Sequence, residues 1–167
     1  TIYLNIQMFI FFLLSSTAGL LYAVFIGALL PHLPALRPLM ILWINLVTNG
    51  LPALALGIDP PDRTQMMEPP RRKSEGLLGR REYFGIFVVG ALMCGLALVC
   101  AFWNWPSASA FNAEEKSNFA RAIAFSFLAI CPLFHAFNCR SATASLLSSR
   151  PLVSVPLVLS VVLSAAI

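Results

Sequence analysis

Five apolar runs, each close to the length of a bilayer crossing, dominate this chain, and none holds an aspartate or glutamate. They cover about 8–30, 39–58, 83–103, 119–137 and 152–167. A helix needs roughly 20 apolar residues to cross the hydrocarbon layer. In lipid every backbone polar group must be satisfied within the structure, which a helix does by itself. The expected fold is therefore all-α: a polytopic transmembrane helical bundle of about five spanning helices, the last one truncated. The composition agrees, with 59% hydrophobic and 11% charged residues. Soluble domains run at about a half and about a quarter. These shares argue against a soluble enzyme, a disulfide scaffold or a disordered chain, and make the lipid bilayer the first expected partner.

The net charge of +4 reads as an orientation signal and not as a nucleic-acid signature. Of the 11 Lys and Arg residues, eight fall in two alternate loops. Arg63, Arg71, Arg72, Lys73, Arg80 and Arg81 lie in 59–82, and Arg140 and Arg150 in 138–151. Arg37, Lys116 and Arg121 lie on the other side. Positive-inside bias puts the first two loops in the cytoplasm, and the N-terminal end with them. Trp103, Trp105 and Phe111 fit an outer aromatic belt. A multi-pass protein of a plasma membrane, of the bacterial inner type, is the expected setting. Thr1 opens no signal peptide, because no basic stretch and small-residue cleavage site follow it. The last run reaches Ile167 without a polar flank, so the expectation is a fragment of a longer polypeptide. Cys94, Cys100, Cys131 and Cys139 have no metal or disulfide spacing and read as small apolar residues.

The second run has a polar centre, Asn45-Leu46-Val47-Thr48-Asn49-Gly50-Leu51-Pro52. Asn45, Thr48 and Asn49 are spaced i, i+3 and i+4 and share one helical face. Gly50 loosens a helix, and Pro52 removes a backbone donor. Together they are the expected hinge, with carbonyls left unpaired around Thr48. Such backbone is tolerated at membrane depth only in protein or beside water. Two readings stand: an ion or substrate site on a broken helix, and a kink glued to neighbours by Asn and Thr hydrogen bonds. In the first run Ser15-Ser16-Thr17-Ala18-Gly19 permits close helix contact. Its hydroxyls can bond back to their own helix. All seven acids lie in loops or at helix margins, so a hard divalent ion, which favours carboxylates with carbonyls, would find only neutral oxygens. His135 reads as a satisfied interfacial side chain and His32 as solvated.

Ile41 through Gly57 resembles the sixth transmembrane helix of type-II P-type ATPases, the calcium-pump-like cation transporters. Asp59-Pro60-Pro61-Asp62 and Met67-Glu68-Pro69-Pro70-Arg71 resemble the loop after it. Ile2 through Ser16 resembles the start of the fifth helix, and Phe134 through Ser141 the end of the eighth. The resemblance runs over essentially the whole chain, 1–167, which would be helices five to nine of the C-terminal cation-transport domain. It implies an ion site between helices four, five, six and eight. The family pattern N-x-x-T-D-G falls on Asn45, Thr48 and Asn49, so Asn replaces Asp. The helix-five pattern S-S-N-x-G-E puts Thr17 at the ligand Asn and Leu20 at the ligand Glu. An acidic or amide position in helix eight falls on Pro132.

The resemblance thus makes Asn45, Thr48, Asn49 and Thr17 the candidate ion-facing residues, in a site poor in carboxylates. It implies a transported cation, the remaining helices and domains of the parent pump as partners, and ATP and Mg2+ for that parent. This chain carries no phosphorylation motif, nucleotide-binding domain or actuator domain, so no catalytic or cofactor-binding residue is assigned to it, and it is not expected to hydrolyse ATP alone. The competing expectation is a structural or regulatory membrane domain, derived from such a pump, that no longer transports.

Overall fold

The computed structural model describes residues 2–29, 36–58, 78–104, 112–139 and 155–166. Within them the chain is helical: α1 Ile2–Leu29, α2 Pro38–Trp43, a π-helical turn Ile44–Thr48, α3 Gly50–Gly57, α4 Arg80–Trp103, α5 Ala113–Cys139 and α6 Val155–Ala166. No strand occurs among the described residues. Among the described residues four stretches are long and apolar enough to cross a membrane: Tyr3–Leu29, Pro38–Gly57, Arg80–Trp103 and Ala113–Cys139. The apolar α6 is shorter. Asp59, Asp62, Arg63, the other basic residues up to Lys73, His32, Trp105, Phe111, Arg140 and Arg150 lie outside the described residues.

The helix boundaries follow local chemistry. Pro38 opens the second span behind an extended Arg37 (φ −72°, ψ 146°). Proline suits a first helical position, whose N–H would have no partner anyway. The start of α5 differs from the sequence expectation, which left 104–118 as a loop. Helix begins at Ala113, because Asn112, Glu114 and Glu115 make an N-terminal cap. The Asn112 N–H donates to Glu115 Oε2 at 2.8 Å, and acidic side chains in a first turn oppose the helix dipole.

Two apolar clusters join the helices. One gathers Phe12, Ala53, Leu56, Ala136 and Leu157 from α1, α3, α5 and α6. The other gathers Leu20, Ile44, Ala97 and Leu128 from α1, the π-turn, α4 and α5, with Leu36 beside them. Buried polar residues fall between the two. On α1, Ser15 and Ser16 separate Phe12 from Leu20. On the second span, Thr48 and Asn49 separate Ile44 from Ala53. The bundle therefore holds a polar layer between two apolar ones.

Candidate functional site

The polar layer centres on the interrupted second span. The helix does not unwind at Gly50. It widens one turn earlier, over Ile44–Thr48, where the Asn49 N–H donates to the Ile44 carbonyl at 2.8 Å. Regular winding resumes when the Ala53 N–H donates to the Asn49 carbonyl at 3.1 Å. Pro52 explains the placement. It has no N–H to give the carbonyl of Thr48 in α spacing, or of Val47 in π spacing. Asn49 at the junction keeps a right-handed backbone (φ −90°, ψ −32°), and no described residue has positive φ. Gly50 is therefore not demanded by backbone conformation.

The candidate ion-facing residues divide. Thr48 and Asn49 are buried, Asn49 completely. Asn45 is largely exposed but joined to them, because Asn49 Nδ2 donates to Asn45 Oδ1 at 3.3 Å. Thr17 is exposed on α1, whereas its neighbours Ser15 and Ser16 are buried. The buried Asn49 Oδ1 and Ser16 Oγ have no hydrogen-bond partner. Buried polar atoms are nearly always paired, so an unpaired one needs a reason. Pro132, where the family resemblance puts an acidic or amide position, is buried in α5. Among the described residues no group of three or more His, Cys, Asp or Glu is placed to hold a metal ion.

Three tertiary hydrogen bonds escaped the sequence reading. Ser15 Oγ bonds back to the carbonyls of Phe11 and Phe12 at 2.7 and 3.0 Å. It also lies 2.8 Å from His135 Nε2 on α5. A hydroxyl has one proton. With that proton turned to the backbone, Oγ accepts from Nε2–H. Cys139 Sγ is 3.1 Å from the same nitrogen, and Phe11 and Phe12 flank the ring at centroid distances of 5.9 and 6.1 Å. His135 is thus satisfied, by a residue 120 positions away, but it is buried between α1 and α5 and not interfacial as its place near the helix end suggests. The second contact ties the ends of α1 and α3, Asn5 Nδ2 donating to the Gly57 carbonyl at 3.2 Å. The third reaches the π-turn itself. Ser164 Oγ on α6 donates to the Val47 carbonyl at 3.2 Å. Thr48 and Ser164 also line a cavity of about 480 Å³, with Trp43, Phe125 and Phe134 among its apolar walls. The Asn-Gly-x-Pro run points to unpaired backbone carbonyls around Thr48 and says nothing of the Asn49 side-chain oxygen. The Ser164 contact had no sequence signal beyond a serine in an apolar helix.

Comparison with known proteins supplies the context. Residues 33–167 match the family model described as cation transporting ATPase, C-terminus. A calcium-transporting ATPase of Bacillus subtilis is 39% identical over 90% of this chain and 16% of its own length. A probable calcium-transporting ATPase of Trypanosoma brucei brucei is 35% identical over 90% of the chain and 17% of its own. An endoplasmic reticulum calcium ATPase of Aspergillus fumigatus is 32% identical over 98% of the chain and 20% of its own. The chain therefore spans no more than a fifth of the length of these relatives.

Proposed function

Because this chain belongs to the cation-transporting ATPase family, as a C-terminal membrane segment, we propose that it forms part of the ion pathway of an ATP-driven calcium pump. The observation that carries this reading is the buried, unpartnered Oδ1 of Asn49, set where π winding returns to α winding. A neutral, buried oxygen held without a protein partner is poised for a cation. Thr48 adds a hydroxyl beside it, and the Thr48 carbonyl, which Pro52 cannot serve in α spacing, adds a further oxygen. Asn45 orients Asn49 by accepting from its Nδ2, which turns the amide oxygen the other way. Thr17 completes the proposed set from α1, facing outward where a further helix of the parent pump would pack.

Such a site differs from a calcium site built on carboxylates. It has no negative charge of its own, so the cation's charge must be balanced by ligands from other helices. ATP and Mg2+ would act in other parts of the parent protein. The membrane is proposed to be a plasma membrane of the bacterial inner type, with the start of α1 cytoplasmic. The support is the basic loop after α3. The lack of carboxylates also favours a second reading, a membrane domain that has kept the fold and lost transport.

Calcium-dependent ATP hydrolysis of the protein carrying this segment, reconstituted in vesicles, separates the two. Asn49→Ala is expected to raise the half-saturating calcium concentration at least about tenfold, equivalent to about 1.4 kcal/mol of binding. Asn49→Asp restores a charge to the site and is expected to raise cation-dependent turnover. If both variants match the parent with calcium and with other divalent ions, the site is unused and the non-transporting reading takes its place.

A further inference from the structure

We propose that Ser164 on α6 is a positioning residue for the ion-facing turn, holding the backbone that presents Thr48 and Asn49. The proposal rests on the ion-pathway reading above and adds to it a helix outside the candidate ligand set. The argument starts from Pro52. If the π spacing of Ile44–Thr48 ran on, the N–H serving the Val47 carbonyl would belong to Pro52, which has none; where α spacing resumes it would belong to Leu51, so Val47 lies at the junction of the two windings. Ser164 Oγ, from a residue 117 positions away, donates to that carbonyl at 3.2 Å. Ser164 is itself buried at 8% exposure.

The Val47 carbonyl and the Thr48 nitrogen belong to one planar peptide unit. Fixing the oxygen fixes that plane, and with it the direction in which Thr48 leaves the chain. Asn49 follows immediately. Its only intraspan side-chain tie is the 3.3 Å bond to Asn45, so the orientation of the turn depends on the Val47 anchor. Thr48 and Ser164 share the wall of the same cavity. Without the hydroxyl, the Val47 carbonyl loses its donor from α6, and the turn loses its side-chain tie to that helix. The serine thus gives the carbonyl at the junction of the two windings a donor from α6, and links the position of α6 to the proposed ion site.

The test uses the full protein in vesicles, with calcium as the probe, comparing Ser164→Ala, Ser164→Thr and Asn49→Ala. Ser164→Ala is expected to raise the half-saturating calcium concentration about three- to tenfold while maximal turnover stays within about twofold. Ser164→Thr, which keeps the hydroxyl, is expected to restore the parent value. A serine with a merely structural role would instead lower thermal stability and maximal turnover together, leaving half-saturation in place, and that result overturns the proposal. If Asn49→Ala shifts half-saturation and Ser164→Ala does not, the positioning role fails while the ion site stands. If Asn49→Ala also leaves it unmoved, the ion-pathway reading fails and this proposal with it.

Discussion

The α1–α4 crossing and the broken second span both contain glycine, but only the crossing uses it as a helix contact. At the crossing, a Cβ on Gly90 would lie 2.8 Å from Ala18 Cβ and 2.9 Å from the Gly19 nitrogen. Neither atom can yield without moving a helix backbone. In the broken span, a Cβ on Gly50 would meet only the Asn45 carbonyl oxygen, at 3.8 Å. The crossing is closed by shape, with backbone on backbone, as small residues permit in membranes. The broken span packs through Ile44, Ala53 and Leu56 on either side of its break, and the break itself is held by hydrogen bonds involving Asn45, Ser164 and its own widened turn. Shape gives a rigid joint. Hydrogen bonds leave a segment that can change partners, as the proposed ion site would require.

The contrast is easiest to break at the crossing. Gly90→Leu is expected to destabilise the folded protein by about 3 kcal/mol, the upper part of the usual range for overpacking. Thermal unfolding in detergent, followed by size-exclusion chromatography, measures it, and an unchanged midpoint would show that the crossing is not tight. Next comes the hydrogen-bonded joint of α1 and α5. Ser15→Ala removes the acceptor for His135 Nε2 and is expected to lower stability by about 1–2 kcal/mol, the range for a buried group that loses its partner. The same thermal assay applies, with Ser15→Thr as the variant that keeps the hydroxyl.

Gly50→Ala sharpens the comparison from the other side. With room for a methyl group, it should stabilise the protein by about 0.5–1 kcal/mol through helix propensity. A loss of calcium response in that more stable variant would show that the turn must flex at Gly50. The last change is at Ser16. Its buried hydroxyl has no partner to lose, so Ser16→Ala should stabilise the protein, by about 1 kcal/mol, by removing an uncompensated desolvation cost. Should it weaken calcium activation as well, Ser16 Oγ would join Asn49 Oδ1 as a cation-facing oxygen.

The sequence made much of this legible because membrane insertion is a local constraint. The apolar lengths located four crossing helices and a shorter apolar one, since in lipid a stretch of that composition can satisfy its backbone only as helix. The Asn45–Pro52 run marked the second span as interrupted before any packing was known, because the missing N–H of Pro52 belongs to the residue itself. The position of the interruption was not legible. Gly50 is the flexible residue, yet the turn that widens lies before it, where Ser164 can reach the Val47 carbonyl. The cap on α5 was readable in principle from Asn112 and Glu115, but the polarity of that stretch suggested a loop.

What the sequence determined by itself is the set of helices, the family, and the polar residues that cannot face lipid without a partner. Only the tertiary structure decided which of those residues find partners. Ser15 and Ser16 are adjacent and identical in chemistry, yet one meets His135 and the other meets nothing. Asn45 and Asn49 sit one turn apart, yet one is exposed and the other completely buried. Whether a buried oxygen is satisfied depends on which helix arrives opposite it, and residues more than a hundred positions away settle that.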